Sequence, residues 1–453
     1  MADRHVTFDD GVFGASAVAM RDGGVPFRDV FSSQGPLFLP LVWIADLSGL
    51  RTLDAPRILA VASGVVLVLA VYAAGRAVTT RAGAIFAAAL VASSGGILWI
   101  TGPVNADGPA LALATTAVAL ALHYRLRPSW QLAVGIGLAL GAALSIKSLV
   151  LPAAVPVGIA LLGPRRGRDI AAAVGAALVV GLVAAVPWGL GDVWDQSVVY
   201  HLEAAGGRTP GANLRKIAST LGDRDLLVVV AAAAAATCAV IRRLRGTPVG
   251  DTPTTDSART TGPGIGWLLG GWLVAILLLL TLEHPLWRPH VAHLVPPLAL
   301  LAAWRRPSWR MLAIVLVPAL AYHVVHTTEI LWPGGAPGDE AAVVTELQSL
   351  PDGALVISDD PGLAWRAGRG TPPDLVDTSI LRIESGRITS ESLADAVADD
   401  PQICAVVVWS AVRFGSFEEL PALLEDEGFD VAARYDDSRV LYVRPDCDPG
   451  SQG

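Results

Sequence analysis

The stretch RILAVASGVVLVLAVYAAGRAVTTRAGAIFAAALVASSGGILWI (57–100) holds two apolar runs, near 57–75 and 82–100, parted by a link that carries Arg76 and Arg81. At about 1.5 Å rise per residue, each run covers most of a hydrocarbon core, so both read as membrane-spanning helices. They are apolar at every position instead of every second one, which argues against a lipid-facing β-barrel. Further runs of the same character follow near 108–124, 130–146, 148–162, 169–188, 225–241, 264–282, 289–304 and 309–327, giving about ten spans. The 148–162 run is short and reads as tilted or incomplete.

Composition agrees with this reading. Of 453 residues, 53% are hydrophobic and 16% charged, and the mean hydropathy is +0.53, all displaced from soluble averages toward a chain solvated by lipid. The formal net charge of -8 describes the acidic last hundred or so positions, whereas Arg residues punctuate the apolar part. Lys147 and Lys216 are the two lysines. Arg abundance here points to no nucleic acid partner.

Arg placement sets the orientation. Arg76 and Arg81, Arg125 and Arg127, Arg165, Arg166 and Arg168, Arg242, Arg243, Arg245 and Arg259, then Arg305, Arg306 and Arg310 fall in every second connection, and the positive-inside rule makes those connections cytoplasmic. The opposite connections carry fewer cations: Lys147, then Arg208, Arg215, Lys216 and Arg224 in one long loop, then Arg288. Trp99, Trp188, Trp287, Trp304 and Trp309 sit at run ends, as interfacial aromatics should. Both ends of the chain then lie outside, and the protein is a multi-pass cell-membrane protein.

The beginning, MADRHVTFDDG, has neither a basic n-region nor an apolar h-region. An outside start lacks a helix to carry it across, so a preceding span is expected to be missing from this sequence. GPLFLPLVWIADLSGL (35–50) is too short for a span, contains Asp46 and reads as an interfacial helix. Beyond Pro333 the composition changes. PGGAPGDE reads as a Gly/Pro linker, followed by strand-like segments at 354–358, 404–410 and 430–445 with helical patterns at 390–398 and 416–428.

The fold class is thus a mainly α polytopic membrane protein with a C-terminal soluble α/β domain. Residues 1–56 form an outer acidic loop with the interfacial helix, 57–327 a transmembrane helical domain, 328–337 a linker and 338–453 an extracytoplasmic domain. Cys238, Cys404 and Cys447 show no metal-ligand spacing, and nothing in the sequence selects a disulfide between the last two.

Four groups of residues can carry chemistry. Asp9 and Asp10 lie in FDDGVFGASAVAMRDGGVPFRDVFSSQGPL (8–37), outside the membrane; paired carboxylates can hold an acceptor hydroxyl and take its proton, or equally open a helix as acidic first-turn residues. Asp107, in GPVNADGPALALA (102–114), stands at the outer mouth of a span and by itself reads first as an N-cap. The placement of all three acids on one face allows them to converge.

Lys147, in LSIKSLVLP (144–152), interrupts more than about thirty uncharged residues, and a cation there marks either a functional site or a snorkelling side chain. LEHPLWRPHVAHLVPPLALLAA (282–303) clusters Glu283, His284, Arg288, His290 and His293 at the outer end of a span, where Arg and His can bind a phosphate. His290 and His293 share one helix face, but no third ligand at suitable spacing supports a metal site. In the tail, Asp359, Asp360, Asp374 and Asp377 read as turn and capping residues.

Together the acidic pair in a first outer loop, the RDGGVPFRDVF…GPL continuation, ADGPALALA, the intramembrane Lys and PLWRPHVAHLVPPLALL resemble the GT-C superfamily of polyprenyl-phosphate-sugar-dependent glycosyltransferases. More closely, they are similar to bacterial relatives of the dolichyl-phosphate-mannose protein mannosyltransferases. The resemblance implies inverting transfer of a sugar from a polyprenyl-phosphate donor to an acceptor hydroxyl on a glycan, lipid or protein at the outer face. By the same resemblance Asp9 and Asp10 match the acidic pair that supplies the general base and acceptor binding, without saying which does which; position 10 is Asp where Glu is usual. Asp107 matches the second outer acid, which organises the acceptor or a divalent cation, and Lys147, Arg288, His290 and His293 would steady the leaving phosphate. A transporter places its binding residues near the midplane and shows repeated halves, neither of which is seen here. A non-catalytic scaffold is the other alternative, and the tail domain is expected to be a non-catalytic module.

Overall fold

The computed structural model describes residues 6–49, 56–162, 167–203, 209–245, 264–304, 309–331 and 337–447. Among the arginines used above for orientation, Arg165, Arg166, Arg208, Arg259, Arg305 and Arg306 lie outside the described residues, as do 332–336 of the linker. Two compact units emerge: Met1–Ile58, Pro187–Ala205 and Pro333–Gly453 in one, Leu59–Val186 and Gly206–Trp332 in the other.

Down the chain the first helices are α1 (Phe8–Arg21), α2 (Phe38–Leu47), α3 (Ile58–Val78), α4 (Arg81–Ala92), α5 (Gly95–Thr101), α6 (Asp107–Leu126), α7 (Trp130–Ile146), α8 (Ala154–Leu162) and α9 (Gly167–Ala185). After them come α10 (Leu190–Trp194), α11 (Tyr200–Glu203), α12 (Pro210–Arg224), α13 (Leu226–Leu244), α14 (Ile265–Leu282), α15 (Val295–Trp304) and α16 (Trp309–Leu331). The tail adds α17 (Gly338–Gln348), β1 (Leu355–Ser358), α18 (Pro361–Arg366), α19 (Ile380–Glu384), α20 (Ser390–Asp399), β2 (Ile403–Val408), α21 (Leu420–Asp426), β3 (Asp430–Arg434) and β4 (Val440–Val443).

The apolar runs become helix, but several are interrupted. Among the described residues, four helices are long and apolar enough to cross a membrane (Ile58–Val78, Asp107–Leu126, Gly167–Trp188 and Ile265–Leu282), or six if each of two bent pairs is one span. The 82–100 run bends by 63° between α4 and α5, where Ser94 accepts from the Ile97 N–H and so caps a new helix. The 225–241 run meets α12 at 102°. The 148–162 run opens with a 3₁₀ turn over Ser148–Ala153 that contains Pro152, and the 289–304 run opens with another over Arg288–Leu294. Proline removes a backbone donor and disfavours continuous α-helix, and both 3₁₀ segments hold one.

Small residues set the closest helix approach in this unit. Gly137 and Gly141, four apart on α7, face Ala173 and Ala177 of α9, the small-xxx-small spacing that lets membrane helices pack backbone to backbone. A Cβ on Gly137 would overlap the Ala173 carbonyl oxygen, and one on Gly141 would stand 2.7 Å from the Ala177 Cα.

The other unit is α/β and cuts across the boundaries read from composition. Its sheet runs β1-β2-β4-β3, with β1 parallel to β2 and the remaining pairs antiparallel. Val343, Val344 and Leu347 of α17 pack on one face and Leu393, Val397, Leu420 and Leu424 of α20 and α21 on the other. The strands fall where the sequence places them, and Cys404 of β2 is disulfide-bonded to Cys447. The parallel β1-β2 pair is spanned by α18, α19 and α20, the crossover that parallel pairing requires.

Residues 1–56 join this unit because α1 rests directly on α18: Gly11 lies against the backbone of Gly362, and Gly14 against the Trp365 ring. The 195–203 segment joins it through Arg387, which donates to both oxygens of Asp195 at 2.7 and 3.0 Å and to Glu203 at 3.0 Å. α2 exposes Trp43, Ile44 and Leu47 while burying Asp46, whose carboxylate accepts from Arg21 at 3.1 Å. The charge that argues against a span in 35–50 is thus compensated inside the protein.

Replacing Gly137 by Leu should force α7 and α9 apart and lower the thermal midpoint of the detergent-solubilised protein, an overpacking cost of about 1–3 kcal/mol. Gly175→Leu, on α9 where a Cβ meets open space, should leave the midpoint unchanged. Equal effects of the two substitutions would show that the close approach is not what the glycine provides.

Candidate active site

In the helical unit, four titratable side chains from three distant stretches form one buried network. Asp107 is the first residue of α6, and Ala106 occupies the cap position without a side-chain cap. Capping falls to Asn105, whose Oδ1 accepts from the Gly108 N–H at 3.2 Å. The Asp107 carboxylate is thereby released for other partners: Oδ2 accepts from Lys147 Nζ at 2.9 Å, and Oδ1 lies 3.1 Å from His293 Nε2.

Lys147 reaches it because α7 stops there. The residue takes an extended conformation (φ -155°, ψ 126°), so its side chain leaves the helix surface toward α6 instead of lipid. Its ammonium also lies 3.2 Å from His290 Nε2. The two histidines are brought into line by the 3₁₀ turn, in which residues i and i+3 eclipse. His290 Nδ1 in turn lies 2.7 Å from Glu283 Oε1, an ion contact without the alignment of a hydrogen bond.

Burial makes these charges consequential. Asp107 is 4% exposed and His293 2%, so neither can rely on water for solvation. A buried charge is costly unless paired, and Asp107 with Lys147 satisfies that condition. Lys147 has three N–H donors, and among the described residues Asp107 and His290 engage two, so that a third can serve an anionic ligand.

Arg288 belongs to the same unit, but the contact it makes is a half-exposed ion pair with Asp223 at 3.5 Å. Lys216 lies 5.9 Å from the centroid of the Trp287 ring. The segment between α14 and the 3₁₀ turn is held by Asn213 of α12, whose Nδ2 donates to the carbonyls of Leu280, Thr281 and Glu283 at 3.3, 3.2 and 2.7 Å.

In the α/β unit the two acids of the first loop lie in the first turn of α1. Thr7 and Asp10 form a capping box at the start of α1, with Asp10 accepting from the Thr7 N–H and hydroxyl. Asp10 is fully buried, and the Arg57 fork donates to both its oxygens, Nε at 3.0 Å and Nη2 at 2.5 Å. Asp9, one residue earlier, is half-buried in the first turn. In the tail, Asp360 caps α18 through the Gly362 N–H, and Asp359 accepts from the backbone of Trp409, Ser410 and Phe414. Burial pushes the Asp359 carboxyl up to about 6, against these donors and Arg413.

The comparisons with known proteins can now be set beside this geometry. Residues 36–190 match the model of the dolichyl-phosphate-mannose-protein mannosyltransferase family. No curated protein matches the chain. Among solved structures it is similar to apo ArnT from Cupriavidus metallidurans, at 13% identity and a TM-score of 0.61 over 97% of this chain and 93% of that one. ArnT bound to undecaprenyl phosphate matches at 15% identity and a TM-score of 0.59, over 97% and 94%. The Archaeoglobus fulgidus oligosaccharyltransferase AglB, in complex with an inhibitory peptide and a dolichol-phosphate, matches at 13% identity and a TM-score of 0.50, over 91% and 67%.

About a third of the chain thus matches the protein mannosyltransferase family model, and the chain as a whole shares the fold of ArnT. At these identities the structural likeness speaks for the fold.

Of the residues singled out in the sequence, the fold brings Asp107, Lys147, His290 and His293 together, and among the described contacts Arg288 is not joined to them. Arg57, read in the sequence only as the edge of a span, is the partner of Asp10. Asn213 gave no signal at all in the sequence. Among the described residues no three histidine, cysteine or acidic side chains are grouped as a metal-ion site.

Removing one partner of a buried ion pair strands the other. Arg57→Ala should therefore destabilise the α/β unit by about 3–5 kcal/mol, read as a lower thermal midpoint of the purified protein, and Asp10→Asn in the same chain should recover part of the loss. A midpoint indifferent to Arg57 would mean that the pair adds nothing to the fold.

Proposed function

We propose that the protein transfers a sugar from a polyprenyl-phosphate donor to an acceptor hydroxyl on the extracytoplasmic face of the cell membrane, with inversion at the anomeric carbon. One observation carries this reading: a lysine and two histidines, anchored by Asp107, form a buried polar network that holds an ammonium at the ends of apolar helices. A lipid phosphate needs such a site, with a charged pocket where its head leaves the bilayer. Support comes from ArnT, which has been solved with undecaprenyl phosphate, and AglB, which has been solved with a dolichol-phosphate.

In this scheme Lys147 donates to the donor phosphate while His290 and His293 shape the pocket around it. The acceptor oxygen attacks the anomeric carbon, the glycosidic bond to phosphate breaks, and the electron pair leaves with the lipid phosphate. Negative charge develops on that oxygen, where a fixed ammonium in a water-poor site stabilises the transition state more than the ground state. Arg288, at the outer rim, assists by drawing the anionic head in.

The general base is assigned to Asp9. Asp10 is fully buried under the Arg57 fork, which suits a positioning residue, whereas Asp9 is only half-buried and so can meet an acceptor arriving from water. Asp107 holds Lys147 in place and orients the acceptor, with a divalent cation as an optional aid. The acceptor is a glycan, lipid or protein. The scheme also takes the apolar runs as about ten spans, with the α/β unit outside as a non-catalytic module; the disulfide between Cys404 and Cys447 suits that oxidising side.

The test is incubation of membranes containing the protein with radiolabelled polyprenyl-phosphate sugars, following which label leaves the lipid. Asp9→Asn and Lys147→Gln should each lower transfer at least about 100-fold, the scale of a lost base or oxyanion partner, while membrane insertion is kept. Full transfer by Asp9→Asn would refute the base assignment. Solute uptake that depends on Lys147, with no label leaving any lipid, would refute the enzyme reading.

A further inference from the structure

We infer that Glu283 is a positioning residue: it fixes the tautomer of His290, and through it the direction in which Lys147 presents its remaining N–H. The inference rests on the proposed role of Lys147 as the phosphate donor group, but the geometry behind it is independent of that role.

Lys147 is an ammonium with donors only, so the ring nitrogen 3.2 Å from it must offer a lone pair. His290 Nε2 is therefore unprotonated, and the neutral imidazole carries its proton on Nδ1. Nδ1 lies 2.7 Å from the Glu283 carboxylate, the one partner that rewards a proton at that atom. The opposite tautomer would aim an N–H at the Lys147 ammonium and a lone pair at the carboxylate, which is unfavourable at both ends. A carboxylate on the far nitrogen is a general way of setting which ring nitrogen is left to act.

Lys147 is thus held from two sides. Asp107 accepts one N–H and His290 a second, and with tetrahedral geometry the third has its direction set. Without Glu283, His290 can take either tautomer, and in the wrong one it repels the ammonium. Glu283 is itself fixed by its backbone, since Asn213 Nδ2 accepts the task of closing the end of α14 by donating to the Glu283 carbonyl at 2.7 Å. The His290 segment and the Glu283 segment are separate: an α-helix C-terminus and a 3₁₀ turn, joined through Pro285.

The expected kinetic signature separates this role from a structural one. Glu283→Gln should lower kcat for sugar transfer about 10- to 30-fold while the donor KM changes less than about threefold, because the misdirected donor is missed most as charge develops. Glu283→Asp should recover most of the rate. His290→Asn should be as slow as the Glu283→Gln, His290→Asn double variant, since Glu283 has nothing left to act through.

A readout without activity keeps the inference testable if the chain transfers no sugar. Histidine ring ¹⁵N spectra of the full-length protein in lipid nanodiscs, with the His290 signals assigned by their loss in His290→Asn, should show the proton on Nδ1 in the wild type and a mixture of tautomers in Glu283→Gln. A wild-type His290 protonated on Nε2, a Glu283→Gln spectrum identical to wild type, or fully multiplicative losses in the double variant would each overturn it. Failure of every variant and the wild type to release label, with the tautomer as expected, would refute the proposed function and leave the positioning intact.

Discussion

The ion pair between Asp107 and Lys147 is the constraint on which the helical unit turns. Each group alone, buried at the end of an apolar helix, would carry a desolvation penalty of several kcal/mol. Paired at 2.9 Å they can be tolerated, but only if α6 begins and α7 ends at the same depth. Asn105 takes over the capping of α6 and so frees the Asp107 carboxylate, while the extended backbone at Lys147 turns the ammonium inward. The histidines of the 3₁₀ turn then find their partners already in place.

Helix breaks recur wherever polar chemistry is needed, and each break leaves backbone groups that hydrocarbon cannot solvate. At two of them the protein supplies side chains. At the α4–α5 bend the Gly96 N–H donates to Asp225 Oδ1 at 3.1 Å and the Gly95 N–H to His323 Nε2 at 3.0 Å, with the Ser94 hydroxyl also on Asp225. At the end of α14, Asn213 takes three carbonyls. Gly95 and Gly96 are required there because a Cβ would strike the Arg224 carbonyl oxygen or the Asp225 carboxylate.

The α/β unit shows a different economy. Its tail has a core on both faces of a four-stranded sheet, yet it also recruits α1 and the 195–203 segment, from far earlier in the sequence. Gly11 and Gly14 permit α1 to lie on α18, Arg57 neutralises Asp10 beneath it, and Arg387 clasps Asp195 and Glu203. The acidic first loop is therefore presented from a packed body and not from a free terminus.

Membrane class and the α/β character of the tail were legible in the sequence, because hydropathy is a local property and lipid imposes it strongly. The strands at 355–358 and 403–408 could be read in the same way. What the sequence left open were the choices settled by contacts across long separations: that Arg57 is a partner of Asp10, whether Asp107 caps its helix, and whether, among the described contacts, Arg288 joins the histidines. Arg57 is 47 residues from Asp10, and His293 is 186 from Asp107. A carboxylate's role depends on which donors surround it, and only the packed chain decides that.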